Sequence, residues 1–208
     1  MTLSKKDLLA LGAFAAPPNS DREKLQYVLF RRARDREDED VWIAEALDGF
    51  ACLQVTLGPG PESSPFTIPA EALRSLARDM RARDLFNPFP DEGAGTVRLT
   101  IKGREISIPV TRDPDFPDTD VLFRDCAGHG NPDGVTFTDV LLSAELLSRL
   151  RFLTRALDLK PAAKDGVRFS FRPVDEDELE KPREKRFVSP VVFEVGDRFR
   201  GLIMGMRP

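Results

Sequence analysis

The stretch Phe66-Thr67-Ile68-Pro69-Ala70-Glu71-Ala72-Leu73-Arg74-Ser75-Leu76 returns in altered form as Val140-Leu141-Leu142-Ser143-Ala144-Glu145-Leu146-Leu147-Ser148-Arg149-Leu150. In both copies a short apolar run meets Pro or Ser, and Ala-Glu then opens a leucine-rich helical pattern. Ser is a strong N-cap, and Pro costs little in a first turn because the N–H it lacks has no partner there. After a break each copy continues with alternating apolar and polar residues, Val97 to Ile101 and Val167 to Phe171. That period of two marks strands with one buried face. A weaker third copy opens the chain, where Ser4 and Asp7 form a capping signature for a helix that must stop before Pro17-Pro18. Strands are expected at 25–31 and 41–47 around a charged turn at 34–40. Three helices starting near residues 4, 69 and 143, each followed by antiparallel strands, confine the chain to the α+β class.

The 208 residues suit one large domain or two small ones, and 41% hydrophobic content is enough for a core. The Pro- and Gly-rich stretch Asp113 to Gly134 is the best boundary, dividing the chain into 1–125, with two repeat units, and 126–208, with the third. Asp175 to Lys185 is almost wholly charged and reads as a solvated loop. No apolar run approaches the ~18 residues of a membrane span. The polar opening Met1 to Asp7 is unlike a signal peptide, so a soluble cytoplasmic protein without membrane contact is expected.

Thirty-one basic against 35 acidic residues give a net charge of −4, which excludes a uniformly basic nucleic-acid binder but not a locally basic face. Two cysteines, Cys52 and Cys126, point to reduced thiols rather than a disulfide framework. The single histidine, His129, limits every His-based mechanism to one residue. Cys126 and His129 suggest a metal pair or a thiol nucleophile, but zinc needs three or four ligands and no second pair exists. A Gly-rich connection explains them better. Gly58-Pro59-Gly60 lacks the continuation of a phosphate cradle, and the acidic runs lack calcium-loop spacing. No catalytic residue, metal or cofactor is assigned, and the chain is read as not being an enzyme.

Five patterns, in order, resemble the bacterial DNA polymerase III beta subunit, the sliding-clamp family, in a short or divergent form. They are Ala46-Leu47-Asp48-Gly49-Phe50, similar to an Ala-Thr-Asp-Gly turn; Phe66-Thr67-Ile68-Pro69 before a helix; the strand pair 97–101 and 104–110; Asp115-Phe116-Pro117-Asp118; and the ending Gly201-Leu202-Ile203-Met204-Gly205-Met206-Arg207-Pro208, similar to Met-Pro-Met-Arg. Three helix-plus-strands units stand where the family has six. The resemblance implies a DNA-clamp-like fold, with the helices on one face of the sheets and lining a hole around duplex DNA.

On that basis the helices must bury leucines on sheet and aim cations the other way. Leu73, Leu76, Ala77 and Met80 form one apolar stripe, and Leu146, Leu147, Leu150, Leu153 and Leu157 another. Arg74, Arg78, Arg81, Arg151 and Arg155 are the candidate DNA contacts, although arginines on such faces are also commonly just solvated. The family binds short peptides of polymerases and repair proteins beside its C-terminus, which implies a site at Cys52, Leu202, Met204, Gly205 and Met206. The same residues also read as an ordinary buried strand with Met as filler. The resemblance implies a homo-oligomeric, non-catalytic DNA tether; the alternative is a clamp-fold adaptor that binds proteins without encircling DNA.

Overall fold

The computed structural model describes residues 2–34, 39–90, 95–112, 115–120, 123, 143–156, 167–170 and 190–204. Three helices start where the repeats place them: α1 (Lys5–Phe14), α2 (Ala70–Asp79) and α3 (Ala144–Ala156). At the head of α1 the Ser4 N–H donates to Asp7 Oδ2 at 2.7 Å while Asp7 N–H donates to Ser4 Oγ at 3.3 Å. This reciprocal cap satisfies two otherwise orphaned donors. α1 ends at Phe14, three residues ahead of the Pro17-Pro18 block that cannot continue it.

Each helix is followed by antiparallel strands. After β1 (Leu3–Ser4) and α1 come β2 (Tyr27–Arg34), β3 (Asp40–Leu47) and β4 (Ala51–Gly58). β5 (Phe66–Pro69) leads into α2, which is followed by β6 (Leu85–Phe86), β7 (Thr96–Ile101), β8 (Arg104–Pro109) and β9 (Thr111–Arg112). β10 (Val167–Ser170), β11 (Val191–Val195) and β12 (Phe199–Ile203) close the chain. β2 begins later than expected, at Tyr27, because residues 23–26 close a turn of 3-10 helix.

Eight strands form one antiparallel sheet in the order β10-β11-β12-β4-β3-β2-β5-β9, with β1-β6 and β7-β8 as separate pairs. β12 joins the terminal strands to β4 in register, with Leu202 opposite Cys52 and Gly201 opposite Leu53. Alternation along these strands sends Phe30, Trp42, Ala44, Leu53, Val55, Phe193 and Phe199 into the core shared with the helices. α1 contacts β3 and β4 and also touches both α2 and α3. Its Leu8, Leu11 and Phe14 are fully buried, each contributing about 1.5–3 kcal/mol. Phe14 meets Phe193 at 5.8 Å, tying the first helix to a strand from the far end of the chain.

The expected stripe of α2 is buried in full at Leu73, Leu76, Ala77 and Met80. In α3 Leu146, Leu150 and Leu153 are buried, whereas Leu147 is 36% exposed. Leu147 lies between the core-facing positions 146 and 150, so its side chain is carried off the buried stripe. Leu157 lies outside the described residues.

Candidate nucleic-acid interface and partner surface

The helix face begins with α1 and α2, which cap each other. Arg74, midway along α2, donates from Nε to Gly12 O at 3.0 Å and from Nη2 to Gly12 O at 2.8 Å and Ala15 O at 3.0 Å. These are the orphan carbonyls at the C-terminus of α1, where a cation also complements the helix dipole. In return Lys5, in the first turn of α1, donates to Met80 O at the end of α2 at 2.9 Å. Gly12 permits this approach, because a Cβ there would come within 2.7 Å of Arg74 Cγ. Arg74 therefore binds helix to helix, and its guanidinium is turned into the fold.

The other candidate arginines stand further out. Arg78 is exposed and reaches back to Glu71 at 3.0 Å, a carboxylate it shares with Arg74. Arg81 is exposed just past α2. On α3 Arg151 is exposed and its guanidinium lies 5.0 Å from the Phe152 ring centroid. The side chain of Arg155 lies outside the described residues.

Arg149 of α3, not singled out by its sequence position, pairs with Asp48 at 2.5 Å. Asp48 is buried and also accepts the Phe50 and Ala51 N–H groups at 2.8 Å each, so one carboxylate closes the β3–β4 turn and anchors α3 to it. Gly49 occupies that turn at φ 90°, a conformation glycine adopts without Cβ strain, and Arg22 crowds the space a side chain would need.

The opposite face of the sheet carries those described residues that the sequence resemblance marks as candidates for partner binding. Leu47, Cys52 and Leu202 are neighbours across β3, β4 and β12 and share a small apolar cluster with Ala16, Leu25 and Phe123; Met204 and Phe116 border it. Cys52 and Leu202 are fully covered, and Phe123 is itself buried against them. The Arg200 guanidinium lies 4.6 Å from the Phe123 ring centroid. Gly205 and Met206 lie outside the described residues, as do Cys126 and His129.

Beside this cluster lies a buried polar group that sequence inspection missed. Glu45 is fully buried; Arg31 donates to it at 3.1 Å, and the Thr119 hydroxyl also donates to it. Arg31 reaches on to Asp120 with two bonds of 2.9 and 2.6 Å. Burial pushes the Glu45 carboxyl above its ordinary pKa despite Arg31 and Thr119 favouring the charged form. Burial opposes the charge on Arg31 too, but Asp120 and Glu45 outweigh it and raise its pKa. Burial and then Glu45 push the Cys52 thiol well up. The signal available in the sequence was a lone Glu in the apolar strand Val41 to Leu47; its partners, 74 and 14 positions away, were not visible. Among the described residues no group of three or more His, Cys, Asp or Glu is placed to hold a metal ion. No described helix is long and apolar enough to cross a membrane.

No sequence-family profile matches this chain, and no curated protein matches it. Solved structures do, over its whole length. The DNA polymerase III subunit beta sliding clamp of Bartonella birtlesii aligns with a TM-score of 0.57 at 13% identity, covering 65% of that chain. The DNA polymerase sliding clamp of Caulobacter crescentus aligns at 0.58 and 15%, again over 65% of its length. The DNA polymerase III beta chain of Streptococcus pneumoniae aligns at 0.58 and 16%, over 64%. The chain thus spans a little under two thirds of each of these structures. It has the sliding-clamp fold, with sequence likeness too low to carry more than the fold.

Proposed function

We propose that this chain is a non-catalytic, homo-oligomeric DNA tether: it holds duplex DNA without sequence preference against its helix face and recruits polymerase or repair proteins through short peptides. The observation that supports this most is the placement of α1 between α2 and α3 on one face of a continuous sheet, with Arg78, Arg81 and Arg151 exposed on or beside the helices. Cations so arranged attract phosphates without reading bases, and each phosphate contact contributes about −0.9 to the salt slope of affinity. Arg74 enters this reading as a positioning residue, since its donors are engaged on α1. The partner-peptide surface would be the Leu47, Cys52, Leu202 and Met204 cluster, where an incoming apolar side chain has to displace Phe123.

Fluorescence anisotropy with a labelled duplex at low salt tests the DNA half. Arg78→Glu, Arg81→Glu and Arg151→Glu together should cut affinity at least about tenfold and flatten the salt slope. No binding by the wild type, or an unchanged slope in the triple variant, removes DNA from the function.

The clamp-fold adaptor is the second reading, favoured by one observation: Arg74 and Arg78 are engaged with α1 carbonyls and Glu71, so the face is less basic than its arginine count. Light scattering separates the two. A stable monomer of 23.3 kDa supports the adaptor, and a closed symmetric oligomer the tether.

A further inference from the structure

The second repeat does not reproduce the strand pairing of the first. After α1, β2, β3 and β4 pair in sequence, so β3 is hydrogen-bonded along both edges. After α2 the corresponding strands are β6, β7 and β8, but β6 has only two residues and pairs with β1. Among the described residues β7 pairs with β8 alone. Among the described residues, an edge that is covered in β3 is therefore open in β7.

A cavity of about 420 Å³ runs along that edge, between residues 98–102 and a wall that includes Met80, Arg81 and Leu85. Successive strand residues point to opposite faces, so five in a row lining one cavity place it beside the strand and not over one face. The hairpin turn determines which backbone groups look into it. Lys102 and Gly103, at φ 50° and 75°, form a two-residue turn, which makes Ile101 and Arg104 a hydrogen-bonded pair. Alternation then makes Leu99 and Ile106 the next such pair, and leaves Arg98 and Thr100 aiming N–H and C=O away from β8.

Charge narrows the occupant. Among the described residues Arg81, Arg98 and Lys102 line the cavity and form no ion pair, and the one carboxylate described there, Asp84, accepts the Arg81 N–H at 2.7 Å. Leu85, at 64% exposure, offers an apolar contact at the rim. Phosphates would meet the cations but be repelled by the outward carbonyls; an extended peptide satisfies both the donors and the acceptors. We propose that the open edge of β7 is a strand-addition site for an acidic, extended peptide segment of a partner protein. Its backbone pairs with Arg98 and Thr100, and its carboxylates lie near Arg98 and Lys102. This site rests on Arg98, Thr100 and Lys102 of the β7 hairpin and shares only Arg81 with the DNA reading.

The test uses the full chain and a fluorescein-labelled peptide of alternating Glu and Val, followed by anisotropy. Saturable binding is expected, absent for the matching Lys–Val peptide. Thr100→Pro removes an outward donor while sparing the β8 ladder, and should weaken binding about tenfold. Arg98→Glu with Lys102→Glu should do the same, as should N-methylation of alternate peptide residues, which leaves the protein unaltered and so covers any misfolding of the proline variant. Equal affinity for the N-methylated peptide, or no effect of the charge reversals, overturns the proposal. So does self-association of the wild type that Thr100→Pro abolishes, which would make a second copy the occupant. Duplex affinity that falls in Thr100→Pro while peptide affinity holds also overturns it, in favour of nucleic acid.

Discussion

Glu45 sits in an apolar strand with Arg31 and the Thr119 hydroxyl on its carboxylate, yet burial dominates and its pKa rises. The native state then holds the Glu45 proton more tightly than the unfolded chain does. Its contribution to stability is complete below the ordinary carboxylate pKa and is lost as pH rises through the raised folded value. Relative to Glu45→Gln, the wild type should lose stability as pH rises above the ordinary carboxylate range, read from urea midpoints at each pH. A relative gain with rising pH would mean that Arg31 outweighs burial. The neighbouring Cys52 is fully covered and its thiol pKa is pushed well up, so little thiolate forms near neutrality. Alkylation of Cys52 should be slow in the native protein and rapid in urea, with mass spectrometry distinguishing it from Cys126. At this scale the sequence showed an anomalous acid but not its partners, because Thr119 and Arg31 reach it only through tertiary contact.

The pairing of α1 and α2 was half legible. The apolar stripe of α2 follows from helical periodicity, and that stripe is buried. That Arg74 would turn inward was not legible, since periodicity places a residue on a face and says nothing of the neighbouring helix end. Arg74→Ala uncovers several carbonyls and should cost about 1–3 kcal/mol in denaturant unfolding. Lys5→Ala, which removes a single bond to Met80 O, should cost less, about 0.5–1.5 kcal/mol. If Arg74→Ala is neutral, the cap does not hold the helices. Gly12→Ala tests the same contact from the other side: its Cβ would meet Arg74 Cγ at 2.7 Å, so Arg74 must move and the cap weaken.

Across the whole molecule the decisive contact is β12 against β4, which joins strands about 150 positions apart into one sheet. Gly201 makes it possible, because a side chain there would collide with the Cys52 carbonyl and the Phe193 ring. Gly201→Val should therefore loosen β11 and β12 from the sheet. Limited proteolysis should cut first near residues 190–204, and a single unfolding transition should split or broaden. Retention of one sharp transition with unchanged protease resistance would show that the last strands contribute little to the body of the fold. The sequence placed a boundary in Asp113 to Gly134; strands from both sides of that stretch lie in the same sheet.

Helix starts, strand alternation and the repeat itself were written in the chain, because capping chemistry and side-chain periodicity act over a few residues. The clamp-like fold was implied by the resemblance of five short motifs, in order, to the sliding-clamp family. Which arginine faces outward, which phenylalanine covers Cys52 and which edge of β7 is left unpaired among the described residues were decided by tertiary structure alone. Each depends on what a distant segment brings alongside, and no spacing along the chain encodes that distance in space.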